Sequence, residues 1–123
     1  MKGYTDLEQS KKLSEFLPIE SADMYWWSSG KRYYIESIDD GDFNEREGHV
    51  RAWSLAALLE QLKSEIQLEN KQILFLHINK YDDINYEIRY TNSWNGEVFI
   101  AEADNLVDAC YEMILKLHEL NLL

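Results

Sequence analysis

The feature that most constrains the fold of this chain is an amphipathic segment near its C-terminus, from Ala103 to Leu120. Its apolar residues recur at steps of three and four, which places them in one stripe along a helix. They are Leu106, Ala109, Cys110, Met113, Ile114, Leu117 and Leu120. Asp104 is the expected N-cap, because its carboxylate can accept from free backbone N–H groups. This helix is expected to cover the strands that precede it.

The chain before this helix has the period of two that is typical of β-strands. Ile73 to Lys80 is apolar at successive positions, which predicts a central strand covered on both faces. Ile84 to Thr91 alternates apolar and polar residues, which predicts a half-solvated strand. Asn95-Gly96 predicts a tight turn, because both residues tolerate a positive φ. Glu97 to Ala101 is then expected to return as a third strand.

Two shorter helices are predicted upstream. Thr5-Asp6-Leu7-Glu8 has the pattern of a capping box, so a helix is expected to begin there. It should end near Phe16, because the residue before Pro18 is disfavoured in the helical conformation. A second helix is expected to have Ser54 as its N-cap and an apolar stripe that reaches Ile66.

An aromatic hairpin is predicted between these two helices. Ala22 to Ser28 and Arg32 to Ile38 have high β-propensity, and a Ser-Ser-Gly-Lys turn separates them. Rings offer a large contact area at low conformational cost, so this hairpin is a candidate partner surface. Its candidate contact residues are Tyr25, Trp26, Trp27, Tyr33 and Tyr34. The alternative is that half of these rings belong to the core and the others cover the sheet.

An acidic run at residues 39–48 follows the hairpin and is predicted to form a long loop. Asp39, Asp40 and Asp42 extend the candidate contact surface. The alternation from Asp40 resembles the start of a calcium-binding loop, but Glu45 stands where that loop needs glycine and Arg51 where it needs glutamate. No metal site is therefore expected here.

Composition limits the classes of function. The 123 residues suit one domain spanning residues 1–123, and the net charge of −11 disfavours direct binding to nucleic acid. No apolar run is long enough to cross a membrane and no signal peptide is recognised, so we expect a cytoplasmic protein with no membrane contact. The single cysteine, Cys110, falls on the apolar stripe of the last helix and is expected to fill the core.

The search for chemistry gives no catalytic motif. His49, His77 and His118 lie in different segments without metal-ligand spacing, and each is expected to be structural. The five glycines form no phosphate-binding loop, and no nucleophile motif is present. We therefore expect no cofactor, no metal and no catalytic residue, with an enzyme as the minority interpretation.

Three segments carry a resemblance to a group of small proteins of unknown activity from bacteriophages, prophages and gut bacteria. They are Thr5-Asp-Leu-Glu-Gln-Ser-Lys-Lys-Leu, Ala22-Asp-Met-Tyr and Asp104-Asn-Leu-Val-Asp-Ala-Cys-Tyr-Glu-Met-Ile-Leu-Lys-Leu-His. This resemblance implies a mobile-element context. The last helix also resembles HicB-type antitoxin domains, whose Asp-x-Leu-x-x-Ala pattern is matched by Asp104, Leu106 and Ala109, although the chain lacks their Pro-rich strand turn.

The sequence predicts an α+β fold in the order α-β-β-α-β-β-β-α. Its antiparallel sheet combines the C-terminal three-stranded meander with the N-terminal aromatic hairpin, and the helices pack on one face. The expected function is a small acidic protein-interaction module whose partner has a basic surface; a homo-oligomer is also allowed. One alternative is a DNA-mimicking or antitoxin-like inhibitor of a basic nucleic-acid-binding protein. Another is a small ligand-binding domain or hydrolase.

Overall fold

The computed structural model describes residues 2–39, 41–92 and 98–123, and it shows an α+β protein with two antiparallel sheets. The elements in chain order are α1 (Leu7–Ser14), β1 (Met24–Ser29), β2 (Arg32–Ser37), β3 (Val50–Ala52), α2 (Leu55–Glu60), β4 (Glu65–Gln67), β5 (Ile73–Lys80), β6 (Tyr86–Thr91), β7 (Val98–Ala103) and α3 (Leu106–Glu119). Short 3₁₀ turns lie at Ile19–Ser21 and Glu45–Glu47. The predicted α+β class is confirmed, with β3 and β4 as additional short strands. The predicted single sheet is wrong, because the aromatic hairpin and the C-terminal strands belong to two separate sheets.

The chain forms two compact units, whose boundary falls within α2. The N-terminal unit comprises Gly3–Leu58, and the C-terminal unit comprises Leu59–Leu123 together with Lys2. The predicted single domain stays a prediction. None of the helices in the described ranges has the length and apolar character needed to cross a bilayer.

The N-terminal unit contains a three-stranded sheet in the order β2-β1-β3. The predicted aromatic hairpin is confirmed, with Trp27 opposite Tyr34 in the β1–β2 register. Gly30 has a φ of 63° in the connecting turn, a conformation that glycine adopts without steric cost. The short strand β3 pairs with β1 on the other side and places Arg51 opposite Tyr25.

Helix α1 begins one residue later than predicted. Its N-cap is Asp6, which accepts from the backbone of Gln9, while the Gln9 side chain accepts from the Asp6 N–H. Thr5 was the expected cap; instead it is buried, and its hydroxyl oxygen accepts from the backbone N–H of Trp53 at 3.1 Å. Asp6 forms the capping box because Thr5 is held by Trp53, the residue that follows β3. The helix ends at Ser14, before the predicted Phe16.

The C-terminal unit contains a four-stranded sheet in the order β4-β5-β6-β7, with α3 packed on β6 and β7. The predicted stripe of α3 is largely confirmed, because Ala109, Cys110, Met113, Ile114 and Leu117 are buried. At the ends of the helix the prediction was less accurate. The N-cap is Asn105 and not Asp104, because the Asn105 side chain accepts from a backbone N–H of the first turn. Leu120, the last residue of the predicted stripe, is 46% exposed.

Two predictions about the middle of the chain were wrong. The second helix ends at Glu60, and Ile66 instead lies in β4 opposite Leu74, where both side chains are buried. The N-cap of this helix is as expected, since the Ser54 hydroxyl oxygen accepts from the third helical N–H. Strand β5 is central but is not covered on both faces, because Phe75 is 44% exposed. The predicted Asn95-Gly96 turn lies outside the described residues.

Candidate functional site

The structure divides the predicted contact residues between two faces of the N-terminal sheet. Successive side chains of a strand point to opposite faces. Tyr25 and Trp27 therefore share one face with Tyr34, while Trp26 and Tyr33 lie on the other. Of the predicted acidic contact residues, Asp39 and Asp42 are exposed after β2, whereas Asp40 lies outside the described residues.

We define the aromatic face as the side chains of Tyr25, Trp27, Tyr34, Phe43 and His49. Trp27 and Tyr34 stack with their ring centroids 4.7 Å apart and their planes 27° from parallel. Tyr25 stacks on the imidazole of His49 with a centroid distance of 5.0 Å, and Phe43 lies 5.5 Å from Tyr25. These separations fall within the range at which aromatic pairs attract one another. The aromatic face is thus an ordered set of rings.

Phe43 and His49 were absent from the predicted surface. Both lie in the segment after β2, and the backbone N–H of Asn44 donates to His49 Nδ1 at 3.0 Å. Arg51 fixes this segment from β3, because its guanidinium lies 2.8 Å from the Glu45 carboxylate. The sequence contained one signal for this contact, a single phenylalanine within the acidic run, because an apolar ring in a fully solvated loop would be exposed to water.

A hydrogen bond ties the aromatic face to an exposed carboxylate. The buried Tyr25 hydroxyl donates to Glu36 at 2.8 Å. Burial raises the pKa of Tyr25, and the hydrogen bond and negative charge of Glu36 raise it further. Gly41 lies against this pair so closely that a methyl group there would collide with the Tyr25 hydroxyl. The absence of a side chain at residue 41 is therefore required by the contact.

Trp27 carries an unpaired polar group on the aromatic face. Its indole N–H is buried and has no acceptor among the described residues. A buried donor without a partner costs on the order of 1–3 kcal/mol. The adjacent Tyr34 ring is 41% exposed, so solvent reaches the outer side of this stack.

The opposite face of the hairpin is used differently. The Trp26 indole N–H donates to the carbonyl of Thr5 at 3.1 Å, and its ring meets the edge of Tyr4. Both contacts attach the hairpin to the segment that precedes α1. The geometry gives Trp26 a structural role, whereas Tyr33 on the same face is 52% exposed.

A second polar cluster, on the C-terminal sheet, was missed by the sequence analysis. Glu87 lies on β6 and was expected to be solvated, but it is only 2% exposed. Its carboxylate lies 2.7 Å from the guanidinium of Arg89 and also accepts from Tyr81 and Asn79. Burial opposes ionisation of Glu87, but these partners outweigh it and lower the pKa. The signal was a glutamate and an arginine two residues apart, which share a face of a strand.

Cys110 is buried in the core of the C-terminal unit. Burial raises the pKa of the Cys110 thiol to about 12, so it holds its proton and is a poor nucleophile at neutral pH. No group of three metal-binding side chains converges within the described ranges. A depression of about 280 Å³ in the C-terminal unit is small for a ligand pocket, whose volume is roughly 300–1,000 Å³. Its lining pairs Lys63 and Glu65 with amide and aliphatic side chains and holds no histidine or cysteine.

The chain was compared with protein-family models, curated proteins and solved structures. No family model, curated protein or solved structure matches it.

Proposed function

We propose that this chain is a small acidic protein-interaction module that binds a basic protein partner through the aromatic face. The observation that carries the proposal is the Trp27–Tyr34 stack, which joins the middle strand β1 to the exposed end strand β2 beside carboxylates. Trp and Tyr are enriched at protein interfaces because they bury much area and lose little conformational freedom. The mobile-element context implied by the sequence resemblance is part of the same proposal.

The arrangement of the rings favours a preorganised surface. Tyr25 is held by its hydrogen bond to Glu36 and by its stack on His49, while Tyr34 is held by Trp27. Rings that are already ordered lose little further entropy when a partner binds.

Charge defines the chemistry of the partner. The net charge of the chain is −11, and Glu36, Asp39 and Asp42 are exposed near the aromatic face. A partner rich in arginine suits both features, because a guanidinium pairs with carboxylates and also stacks on aromatic rings. Long-range attraction between an acidic and a basic protein also accelerates association at low salt.

Two tyrosines provide a matched test of this proposal. Tyr34 belongs to the aromatic face, and its neighbour Tyr33 is similarly exposed on the opposite face. The tagged protein is used to capture partners from a lysate of its native host at about 0.05 M and about 0.5 M salt. A partner should be captured by the wild type and by Tyr33→Ala, about tenfold less by Tyr34→Ala, and less at high salt.

Equal capture by the wild type and both variants would contradict the proposal, as would capture that is insensitive to salt. If the captured protein binds DNA, competition with duplex DNA addresses the inhibitor alternative. Loss of capture in that competition would support DNA mimicry instead, because DNA and this chain would then bind the same site on the captured protein.

A further inference from the structure

We infer that the outer edge of β2 is a homodimer interface, at which two copies of this chain pair their β2 strands antiparallel about a two-fold axis through Tyr34. Strand β2 is the end strand of its sheet, and no strand of the described residues pairs with its outer side. This inference does not depend on the proposed partner, because its occupant is a second copy.

The hairpin geometry determines which backbone groups point outward. Hydrogen-bonded and non-hydrogen-bonded pairs alternate along an antiparallel ladder. The Ile38 N–H donates to the Asp23 carbonyl at 3.0 Å, so this pair is hydrogen-bonded. Counting back along the register, Glu36, Tyr34 and Arg32 direct their backbone groups toward β1. Tyr33 and Ile35 therefore direct theirs toward the free edge.

The side-chain pattern of β2 is complementary to itself. In an antiparallel pair centred on Tyr34, Arg32 of each copy lies opposite Glu36 of the other. Tyr33 lies opposite Ile35, and the two Tyr34 side chains face each other. Directly opposed Cβ atoms are about 4.5–5.5 Å apart, so opposite charges at such positions attract and apolar side chains touch.

The backbone geometry agrees with this register. Tyr33 and Ile35 would form the hydrogen-bonded pairs on either side of the axis, which gives four main-chain hydrogen bonds between the two copies. Tyr34 would form the central non-hydrogen-bonded pair, in which side chains approach most closely. Each Tyr34 already stacks on Trp27, so four rings would lie in one row across the dimer.

Charge selects a second copy as the occupant of this edge. Arg32 and Glu36 are both exposed, and no ion pair involves either of them among the described residues. A second β2 strand pairs both of them at once, and Glu36 has a second carboxylate oxygen beyond the one that accepts from Tyr25. The net charge of −11 on each copy opposes association, and an interface of one strand pair is small. The dimer is therefore expected to be of low affinity.

A pair of charge-reversal variants tests the register. Arg32→Glu places two glutamates opposite each other at both ends of the interface, and Glu36→Lys places arginine opposite lysine. Each variant alone should therefore self-associate at least tenfold more weakly than the wild type. An equimolar mixture of the two restores opposite charges at both positions, so a heterodimer should form.

The measurement is sedimentation velocity of the purified full chain up to about 100 μM, a range in which dimers with Kd values up to about 100 μM are populated. Lys11→Glu and Glu20→Lys are matched controls, because they make the same charge changes at exposed residues outside β2. Both controls should dimerise like the wild type. Circular dichroism of every variant verifies that the fold is retained.

Three outcomes would overturn the inference. A wild type that stays monomeric throughout the range would show that Arg32 and Glu36 instead protect the edge against pairing, as charges on end strands do. A mixture no more associated than its components would reject the register about Tyr34. Controls as impaired as the β2 variants would assign the effect to overall charge. None of these outcomes bears on capture of a basic partner by the aromatic face.

Discussion

Each sheet contains a glutamate that accepts a hydrogen bond from a tyrosine hydroxyl, but the two glutamates have different surroundings. On the N-terminal sheet, Glu36 accepts from the Tyr25 hydroxyl and is itself exposed. On the C-terminal sheet, Glu87 accepts from Tyr81 but is only 2% exposed and is paired with Arg89. The charge of Glu87 is thus neutralised within its own sheet, whereas the charge of Glu36 is available to a partner. Glu87 therefore has a structural role, whereas Glu36 belongs to the proposed binding surface.

The largest expected effect comes from breaking the buried pair. Arg89→Met should lower the free energy of unfolding by about 3 kcal/mol, because Glu87 remains buried without its countercharge. The estimate is at the low end for buried pairs, since the Arg89 side chain is one-third exposed. Urea unfolding measures the change. Arg32→Met is the matched control on the exposed strand and should cost under about 0.5 kcal/mol.

The double substitution Glu87→Met with Arg89→Met sharpens this test. It removes both charges, so it should recover most of the stability that Arg89→Met loses. If Arg89→Met cost as little as Arg32→Met, the Glu87–Arg89 pair would have no structural role and the contrast between the two sheets would fail.

The next largest effect is expected in the aromatic hairpin, where substitutions on its two faces should lower the stability by different amounts. Trp26→Ala removes a half-buried ring and its hydrogen bond to Thr5, so it should cost about 2 kcal/mol. Trp27→Ala also removes an unpaired buried donor, which offsets part of the lost packing, and it should cost about 1 kcal/mol. Thermal unfolding compares the two variants. If Trp27→Ala unfolds the domain, that ring belongs to the core and the aromatic face loses its role in binding.

Lowering the pH should reveal how much ionised Glu87 contributes to the free energy of unfolding. Its pKa in the folded state is below its ordinary value of 4.5, because its hydrogen bonds and Arg89 outweigh the burial that opposes ionisation. A lowered pKa stabilises the fold above the unfolded-state pKa, and this stability is lost as the pH falls through the folded-state pKa. Urea midpoints between about pH 7 and about pH 3 should therefore decline less for Glu87→Gln than for the wild type. An equal decline would show that other carboxylates dominate.

The smallest effect is expected at Gly41. Gly41→Ala introduces a methyl group against the Tyr25 hydroxyl and 2.6 Å from a Glu36 carboxylate oxygen, so it should break their hydrogen bond. The raised pKa of Tyr25 should then move down toward its ordinary value of 10.0. Ultraviolet titration of the tyrosines measures this change. Gly3→Ala is the control, because nothing lies within 4 Å of a methyl group there, and an equal response of both variants would contradict the contact.

Local patterns predicted the elements that depend on neighbouring residues. The spacing of apolar residues predicted the buried stripe of α3, and the turn residues predicted the β1–β2 hairpin. Both patterns are local, because they depend only on residues within one helix or one hairpin. Helix N-caps were predicted less well. Thr5 and Asp6 are both capable caps, and the selection of Asp6 depends on the hydrogen bonds that bury Thr5 beside Trp53.

The candidate site was predicted in part. The sequence identified the aromatic hairpin, and strand alternation then placed Tyr25, Trp27 and Tyr34 on one face. Phe43 and His49 entered the aromatic face only through the path of the loop after β2, which no local pattern specifies.

The sequence by itself determined the α+β class, the α3 stripe and the acidic character of this protein, because composition and periodicity are properties of the chain. Tertiary structure alone decided that Ile66 leaves the second helix for a strand and that Glu87 is buried with Arg89. The physical reason is that the environment of a side chain depends on residues distant in sequence. A glutamate in an alternating strand is solvated or buried according to the neighbours that the fold brings to it.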